Sequence, residues 1–392
     1  MPDIKAIQKA LRDNRIDGWL FYDHHRRDPI AVHILELPAT GLVTRRWFYF
    51  IPAKGEPRKL VHRIEAGMLD KLPGEKLEYS SWEEQHKSLK KLMRGSKTVA
   101  MNYSPLNNIP YIGLVDAGTV ELIRKLGRKV VSSADLVQQF EAVWTDEQLE
   151  THLEAGRRID RIIQGAFARA GDFVRDGKAL TEYDLAQWIL EQFESSNLET
   201  PSGPVAAVPP NNGNPHYEPG PEGSLRIRAG DLLLLDVWGK LKKPNSVFYD
   251  VTWVGFLGSQ VPEQYRRVFA IVKGTRDRAV QFVKESVAAG RKIHGWEVDK
   301  AARDFMKKNG HAKDFVHRTG HSIGIEIHGN GANMDGLETK DDRMVIPRTC
   351  FSIEPGIYLK AFGVRSEVNM YVGEHEARVT GNVQEQIIPI LA

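Results

Sequence analysis

The chain has 392 residues, 41% of them hydrophobic and 27% charged, with a formal net charge of +3 at pH 7. That profile fits a folded, soluble protein of two or three domains and excludes a disordered chain. The small net charge gives no signal for nucleic acid, and no apolar run approaches the roughly 20 residues of a membrane span. One cysteine, Cys350, excludes an internal disulfide, and its setting RTCFSIEPG predicts a buried structural thiol rather than a nucleophile.

The opening stretch MPDIKAIQKALRDNRIDGWLFYD lacks the positive start, apolar core and cleavage site of a signal peptide, which predicts a cytoplasmic protein with no membrane partner. Ile4 to Leu11 has helical spacing, and GWLFYD reads as a strand. RRWFYFIPA and PRKLVHRIE, separated by KGE, read as a hairpin. Residues 1–142 therefore predict an α/β domain. A boundary follows near Trp144, where Thr145 and Gln148 have the spacing of a capping box. The helix it starts carries Leu149, Leu153, Ile159, Ile163 and Phe167 broadly on one side, and it opens a second domain over 143–392.

That second domain repeats itself weakly, with a period near 117 residues. Helix pairs are predicted in EQLETHLEAGRRIDRIIQGAFARAG and LTEYDLAQWILEQFESSN, then again in EQYRRVFAIVKGTRDRAVQFVKESV and GWEVDKAARDFMKKNG. Strand pairs follow each: GDLLLLDVWG with SVFYDVTWVGF, and TCFSIEPGIYL with GVRSEVNMYVG. Acids sit at matching places, with Asp236 and Glu354 118 residues apart and Asp250 and Glu367 117 apart. Alternation puts Asp250 with Phe248 and Thr252 on one strand face, and Glu367 with Arg365 and Asn369 on another. A pseudo-twofold arrangement of the strand pairs would bring four carboxylates together.

A single acid in such a strand more often faces water or an ion pair. Four converging inside a sheet would repel one another and lose hydration unless cations neutralise them, so bound metal is the simplest account. Oxygen donors with one imidazole suit Mn²⁺ or Co²⁺ better than a closed zinc site. The segment HRTGHSIGIEIHGNG places His317, His321 and His328 within twelve positions, among Gly320, Gly324, Gly329 and Gly331. Any one of these histidines alone is more often a satisfied core or surface residue. Beside four acids, His321 is the best imidazole candidate, and two metals sharing carboxylates would make a hydrolytic centre.

These residues resemble the pita-bread metallopeptidases, within them the Xaa-Pro dipeptidases (prolidases) and Xaa-Pro aminopeptidases. The resemblance spans nearly the whole chain and implies a creatinase-like amino-terminal domain followed by a pita-bread catalytic domain. It implies five metal ligands: Asp236, Asp250, His321 in GHSIG, Glu354 in EPGIY and Glu367 in VRSE. They would hold two divalent ions, Mn²⁺ foremost with Co²⁺ or Zn²⁺ as alternatives. Asp250 and Glu367 would bridge them, and Glu354 would also handle the proton. His216 in NPHYEPG and His328 in IEIHG would contact substrate and steady the oxyanion. His317 would wall the proline pocket, and Arg365 would orient a ligand carboxylate at the edge of the substrate site. Relatives of this kind are commonly homodimers.

The chain departs from the pattern in places. Against the spacing usual in the family it resembles, GKLKKPNS lengthens the hairpin between Asp236 and Asp250 by about three residues. Trp253 stands where many relatives carry arginine, and Ser366 and Val368 flank Glu367 where Ile and Asp are common. None removes a ligand. The loop GLETKDDRMVIPR offers Lys340 and Arg343 to receive a proline carboxylate, which favours Xaa-Pro dipeptides over longer proline-containing peptides. The alternatives are an aminopeptidase for longer peptides, and a creatinase-like hydrolase or a binding module on the same scaffold. A methionine aminopeptidase is disfavoured by the extra amino-terminal domain.

Overall fold

The computed structural model describes residues 1–38 and 40–392. The chain divides into two compact units, Met1–Glu141 and Ala142–Ala392.

In the first unit the elements run α1 (Ile4–Asp13), β1 (Gly18–Asp23), α2 (Pro29–Ile34), β2 (Trp47–Pro52), β3 (Arg58–His62) and β4 (Glu75–Tyr79). Then come α3 (Trp82–Leu92), β5 (Thr98–Met101), α4 (Ala117–Lys125), β6 (Lys129–Ser132) and α5 (Ala134–Glu141). The six strands form one sheet in the order β4-β3-β2-β1-β5-β6. The expected hairpin is present, with Phe48 opposite Leu60. Strand β1 is buried on both faces. Trp19 and Phe21 pack with α1, α2 and α5, whereas Leu20 and Tyr22 pack with α3 and α4. Burial on both sides explains why GWLFYD is a continuous apolar run rather than an alternating one.

The second unit runs α6 (Asp146–Arg175), α7 (Glu182–Ser195), β7 (Leu198–Glu199), β8 (Val205–Ala207), β9 (Leu232–Leu241), β10 (Tyr249–Phe256), α8 (Glu263–Ala288) and α9 (Gly295–Lys308). It continues with β11 (Ser322–Ile323), β12 (Thr349–Ile353), β13 (Gly356–Tyr358), β14 (Gly363–Arg365), β15 (Val368–Val372), β16 (Ala377–Thr380) and β17 (Ile388–Pro389). Helix α6 starts at the expected box, where Thr145 Oγ1 accepts from Gln148 N at 3.1 Å and Gln148 Oε1 accepts from Thr145 N at 2.9 Å. One sheet has the order β17-β10-β9-β7 with β8 also on β9, and another has β11-β12-β15-β16.

Residue parity sorts the core. Leu233, Leu235 and Val237 of β9 point towards α6 and α7, and Leu232 and Leu234 join the cluster of α8 and α9. Asp236 continues that second series, so it faces the other half of the unit. The second half departs from the expected uninterrupted strands. TCFSIEPGIYL breaks into β12 and β13, and GVRSEVNMYVG into β14 and β15, with Glu354 and Glu367 at the breaks. Pro355 has no N–H for a ladder bond, and Glu367 N turns away to donate to Thr252 O on β10 at 3.3 Å.

Helix α6 also buries His152 completely. Its Nδ1 donates to Phe248 O at 2.6 Å, and its Nε2 lies 2.7 Å from Thr380 Oγ1. Burial pushes its pKa down to about 4, against an ordinary 6.5. Between those values the unfolded chain binds a proton that the folded chain refuses. This stabilising contribution is therefore complete above pH 6.5 and is lost as pH falls towards 4, at up to about 1.4 kcal/mol per pH unit. Thermal unfolding followed from pH 7.5 to 4.5 should show a shallower fall for His152→Gln than for the parent chain, and parallel profiles would contradict the assignment.

Candidate metal centre

Strands β9 and β10 pair so that Asp236 lies opposite Thr252 and Asp250 opposite Trp238. The Thr252 hydroxyl lies 2.9 Å from Asp236 Oδ1 and 2.9 Å from Glu367 Oε2, tying an acid of the first half to one of the second. His321 Nε2 lies 3.3 Å from Asp250 Oδ2 and 3.6 Å from Glu354 Oε1. Donor atoms of Asp250, His321 and Glu367 all lie within 4.8 Å of one another, and the three residues are buried. The structure thus brings together all five expected ligand residues.

His321 is held from both sides of its backbone. Its N–H donates to Ser352 Oγ at 2.9 Å, and its Nδ1 donates to Ser322 O at 3.2 Å. That second bond leaves Nε2 as the nitrogen facing the acids. A Cβ on Gly320 would sit 1.8 Å from Ser352 O, so the chain can approach β12 here only as glycine. Gly324 has no such need: its nearest neighbour would be 3.9 Å away.

Electrostatics fit a cation. Burial, followed by repulsion from Asp250, Glu354 and Asp236, pushes Glu367 well above the ordinary carboxylate range. Burial also raises Asp250 to about 6, and raises Asp236 despite the Arg365 guanidinium. Burial acts on Glu354 in the same direction, but the positive charge at its side, His321 first, holds it below the usual value. Glu367 Oε1 is buried with no hydrogen-bond partner. An orphaned carboxylate oxygen among other acids and an imidazole nitrogen is a donor set that a divalent metal would complete.

The remaining candidates fall in three places. Arg365 is buried, pairs with Asp236 through Nη2, and donates through Nε to Thr252 Oγ1 at 2.9 Å and through Nη1 to Tyr358 OH at 3.2 Å. Its donors serve the acids rather than an open pocket. His317 Nδ1 donates to Arg318 O at 2.7 Å, so its Nε2, 2.8 Å from Tyr358 OH, accepts. Burial lowers this imidazole to about 4 and keeps it neutral. His328 packs edge-on to His321 with ring centroids 4.4 Å apart, and loss of water, then the charges of His321 and Arg318, lower its pKa. His216 is exposed on the loop after β8, its N–H bonded to Asn214 Oδ1 at 3.0 Å, and is close enough to contribute to the field at His328.

Of the two loop cations, Arg343 is committed within the protein and Lys340 is exposed. Arg343 is 1% exposed. Its Nε and Nη2 hold Asp341, and its Nη1 donates to Asn330 O at 3.0 Å. A buried guanidinium needs such partners, and each of its three nitrogens already has one within the protein. Lys340 is exposed, with Nζ 5.2 Å from the centre of the Trp296 ring. Thr252, Ser352 and Tyr358 had no assigned role from sequence. Period two was the available signal: Thr252 follows Asp250 by two positions, and Tyr358 follows Glu354 by four.

Residues 154–374 match the family described as metallopeptidase family M24. The chain is 25% identical over 347 residues to the "probable dipeptidase PepE" of Mycobacterium bovis, covering 87% of this chain and 84% of the relative. It is 26% identical over 256 residues to the Xaa-Pro dipeptidase of Pyrococcus furiosus, covering 65% and 67%. The crystal structure of dipeptidase PepE from Mycobacterium ulcerans has a TM-score of 0.68 at 20% identity, covering 98% of this chain and 96% of that one. That likeness places this chain in the same fold, an α/β unit followed by a pita-bread unit.

If Asp250, His321 and Glu367 jointly hold metal, Asp250→Ala and Glu367→Ala should each lower bound metal at least about tenfold at equal free metal, while Tyr358→Phe keeps it. Elemental analysis after equilibrium dialysis would check this, and unchanged metal in both acid variants would rule the site out.

Proposed function

This chain belongs to metallopeptidase family M24, and on that footing we propose that it is a two-metal exopeptidase cleaving the bond between an amino-terminal residue and proline. The observation that carries this reading is the meeting of Asp236, Asp250, His321, Glu354 and Glu367 around an unpartnered Glu367 oxygen. Those five residues would hold two divalent ions, and their carboxylate-rich set favours Mn²⁺ or Co²⁺. When bound, such ions supply Lewis acidity, polarising the scissile carbonyl and making water a nucleophile at neutral pH.

The residues themselves do the rest. Glu354 lies nearer the rim of the cluster, its side chain 15% exposed where Asp250 and Glu367 are closed off. Held below the ordinary glutamate pKa, it is ionised and able to accept a proton from the attacking water. His328, kept neutral, has an N–H to donate to the oxygen that gains charge as the carbonyl is attacked, and His216 would share that role. His317, with both ring nitrogens satisfied, offers a fixed ring face rather than a hydrogen bond, as a wall for a proline ring requires. Arg365 and Tyr358 hold Asp236 and His317 in place and keep one positive charge beside the acids.

The dipeptide preference draws its support from the relatives, PepE and the Pyrococcus furiosus Xaa-Pro dipeptidase. It no longer rests on Arg343. The aminopeptidase reading gains from the same fact, because of the two cations expected to select a free proline carboxylate Arg343 is paired with Asp341 and Lys340 alone stays exposed. A metal-free hydrolase or a binding module on this scaffold has no such support, since every expected donor type is in position.

Chelation should abolish hydrolysis of Ala-Pro, and Mn²⁺ or Co²⁺ should restore it; full turnover in metal-free protein would end the proposal. Turnover of Ala-Pro should exceed that of Ala-Pro-Ala, and the reverse order would select the aminopeptidase reading. His328→Ala should lower kcat by roughly 10² while bound metal is unchanged, because its role lies in the transition state. A His328→Ala variant with parental kcat would remove that residue from the mechanism.

A further inference from the structure

The first unit carries a cavity that the peptidase reading does not use. Its sheet has five strands running one way, β1, β3, β4, β5 and β6, with only β2 reversed. Open α/β sheets of this kind bind ligands in the crevice beyond the carboxyl ends of their parallel strands. A cavity of about 590 Å³ lies at that edge, within the roughly 300–1,000 Å³ usual for small-molecule sites. Tyr22 at the end of β1, His62 at the end of β3 and Tyr79 at the end of β4 line it, with residues 44–46, which lead into the reversed β2.

Its charge is unbalanced. Arg27, Arg45 and Arg46 all line the cavity, and none forms an ion pair among the described residues. Arg46 is half-buried, and its charge acts on Tyr22, His24 and Tyr79 together. The acids nearby are occupied. Asp116 caps α4, accepting from Thr119 N and Thr119 Oγ1, each at 2.8 Å. Glu65 accepts from Thr44 N, Thr44 Oγ1 and Arg45 N, and these bonds with the Arg45 charge hold its carboxyl below the usual range. Glu84 accepts from Ser80 N and Ser81 N. The amino ends of α3 and α4 open at the same edge, adding backbone N–H groups and the positive ends of two helix dipoles. Trp82, 62% exposed, supplies an apolar wall.

We propose that this cavity binds a small organic anion, a phosphate or carboxylate group held by Arg27, Arg45 and Arg46 with its apolar body against Trp82. Three guanidinium groups in no ion pair among the described residues, gathered at the ligand-binding edge of an α/β sheet, match planar oxyanions by charge and by their forked donors. The site is separate from the carboxylate cluster, whose own charge would repel such a ligand.

Titration calorimetry on the full-length, metal-loaded protein would test it with phenyl phosphate, phenylacetate and inorganic phosphate as probes. The expected result is one saturable site per chain for an aryl anion, retained in His321→Ala and weakened at least tenfold in Arg46→Gln. Which of phenyl phosphate and phenylacetate binds more tightly identifies the head group. Arg27→Gln, at an exposed position, should weaken binding even if Arg46→Gln fails to fold. No saturable binding of any probe, or binding lost in His321→Ala and unaffected by both arginine variants, would overturn the proposal.

Discussion

The second unit depends on how the edge of β10 away from β9 is satisfied. One edge pairs with β9 along its whole length. On the other, β17 pairs with Gly255 and Phe256, and before them alternate residues from Phe248 to Val254 present their backbone to a group from elsewhere in the chain. Phe248 O accepts from His152, and Asp250 N and O are both met by the Asn369 side-chain amide at 3.2 and 2.7 Å. Thr252 O accepts from Glu367 N, and Val254 N and O are met by the Gln384 amide at 3.0 and 2.6 Å. Buried backbone groups left unpaired would each cost about 1–3 kcal/mol, so this seam fixes the two halves in one register. The four acids meet because that register leaves them no other place.

Such a meeting is unfavourable for a protein alone. Arg365 offsets one charge, and His321 lies between two acids, but Asp250 and Glu367 remain buried with raised pKa values. Stabilisation of the fold elsewhere, through two apolar clusters on either side of the paired sheets, holds the acids in a geometry they would not choose. The same frustration makes the cluster receptive to a cation. A second feature ties the halves together: the Thr252 hydroxyl lies between Asp236 and Glu367, and its single hydrogen can serve only one of them when both are ionised.

Much of this was legible in the sequence because it rests on spacing. The capping box at Thr145, the helix pairs and the matched acids are periodic signals, and period two along FYDVTW put Asp250 and Thr252 on one face. The breaks at Glu354 and Glu367 were not legible, because they depend on Glu367 N finding Thr252 O across the seam. Arg343 was misread for a related reason. Its loop folds back on Asp341, and a sequence shows the charge of a loop residue without showing which acid will neutralise it. The roles of His152 and Asn369 have no local signal, since each bonds a backbone oxygen of the β10 seam 96 and 119 positions away.

The central claim is that the seam along β10 builds a metal centre from both halves of the unit. Anomalous diffraction at the manganese edge, from crystals equilibrated with Mn²⁺, tests it most directly. Metal peaks are expected among Asp236, Asp250, His321, Glu354 and Glu367, the residues that would hold the ions. Peaks that lie elsewhere, or an active crystal with no peak among these five residues, would contradict it.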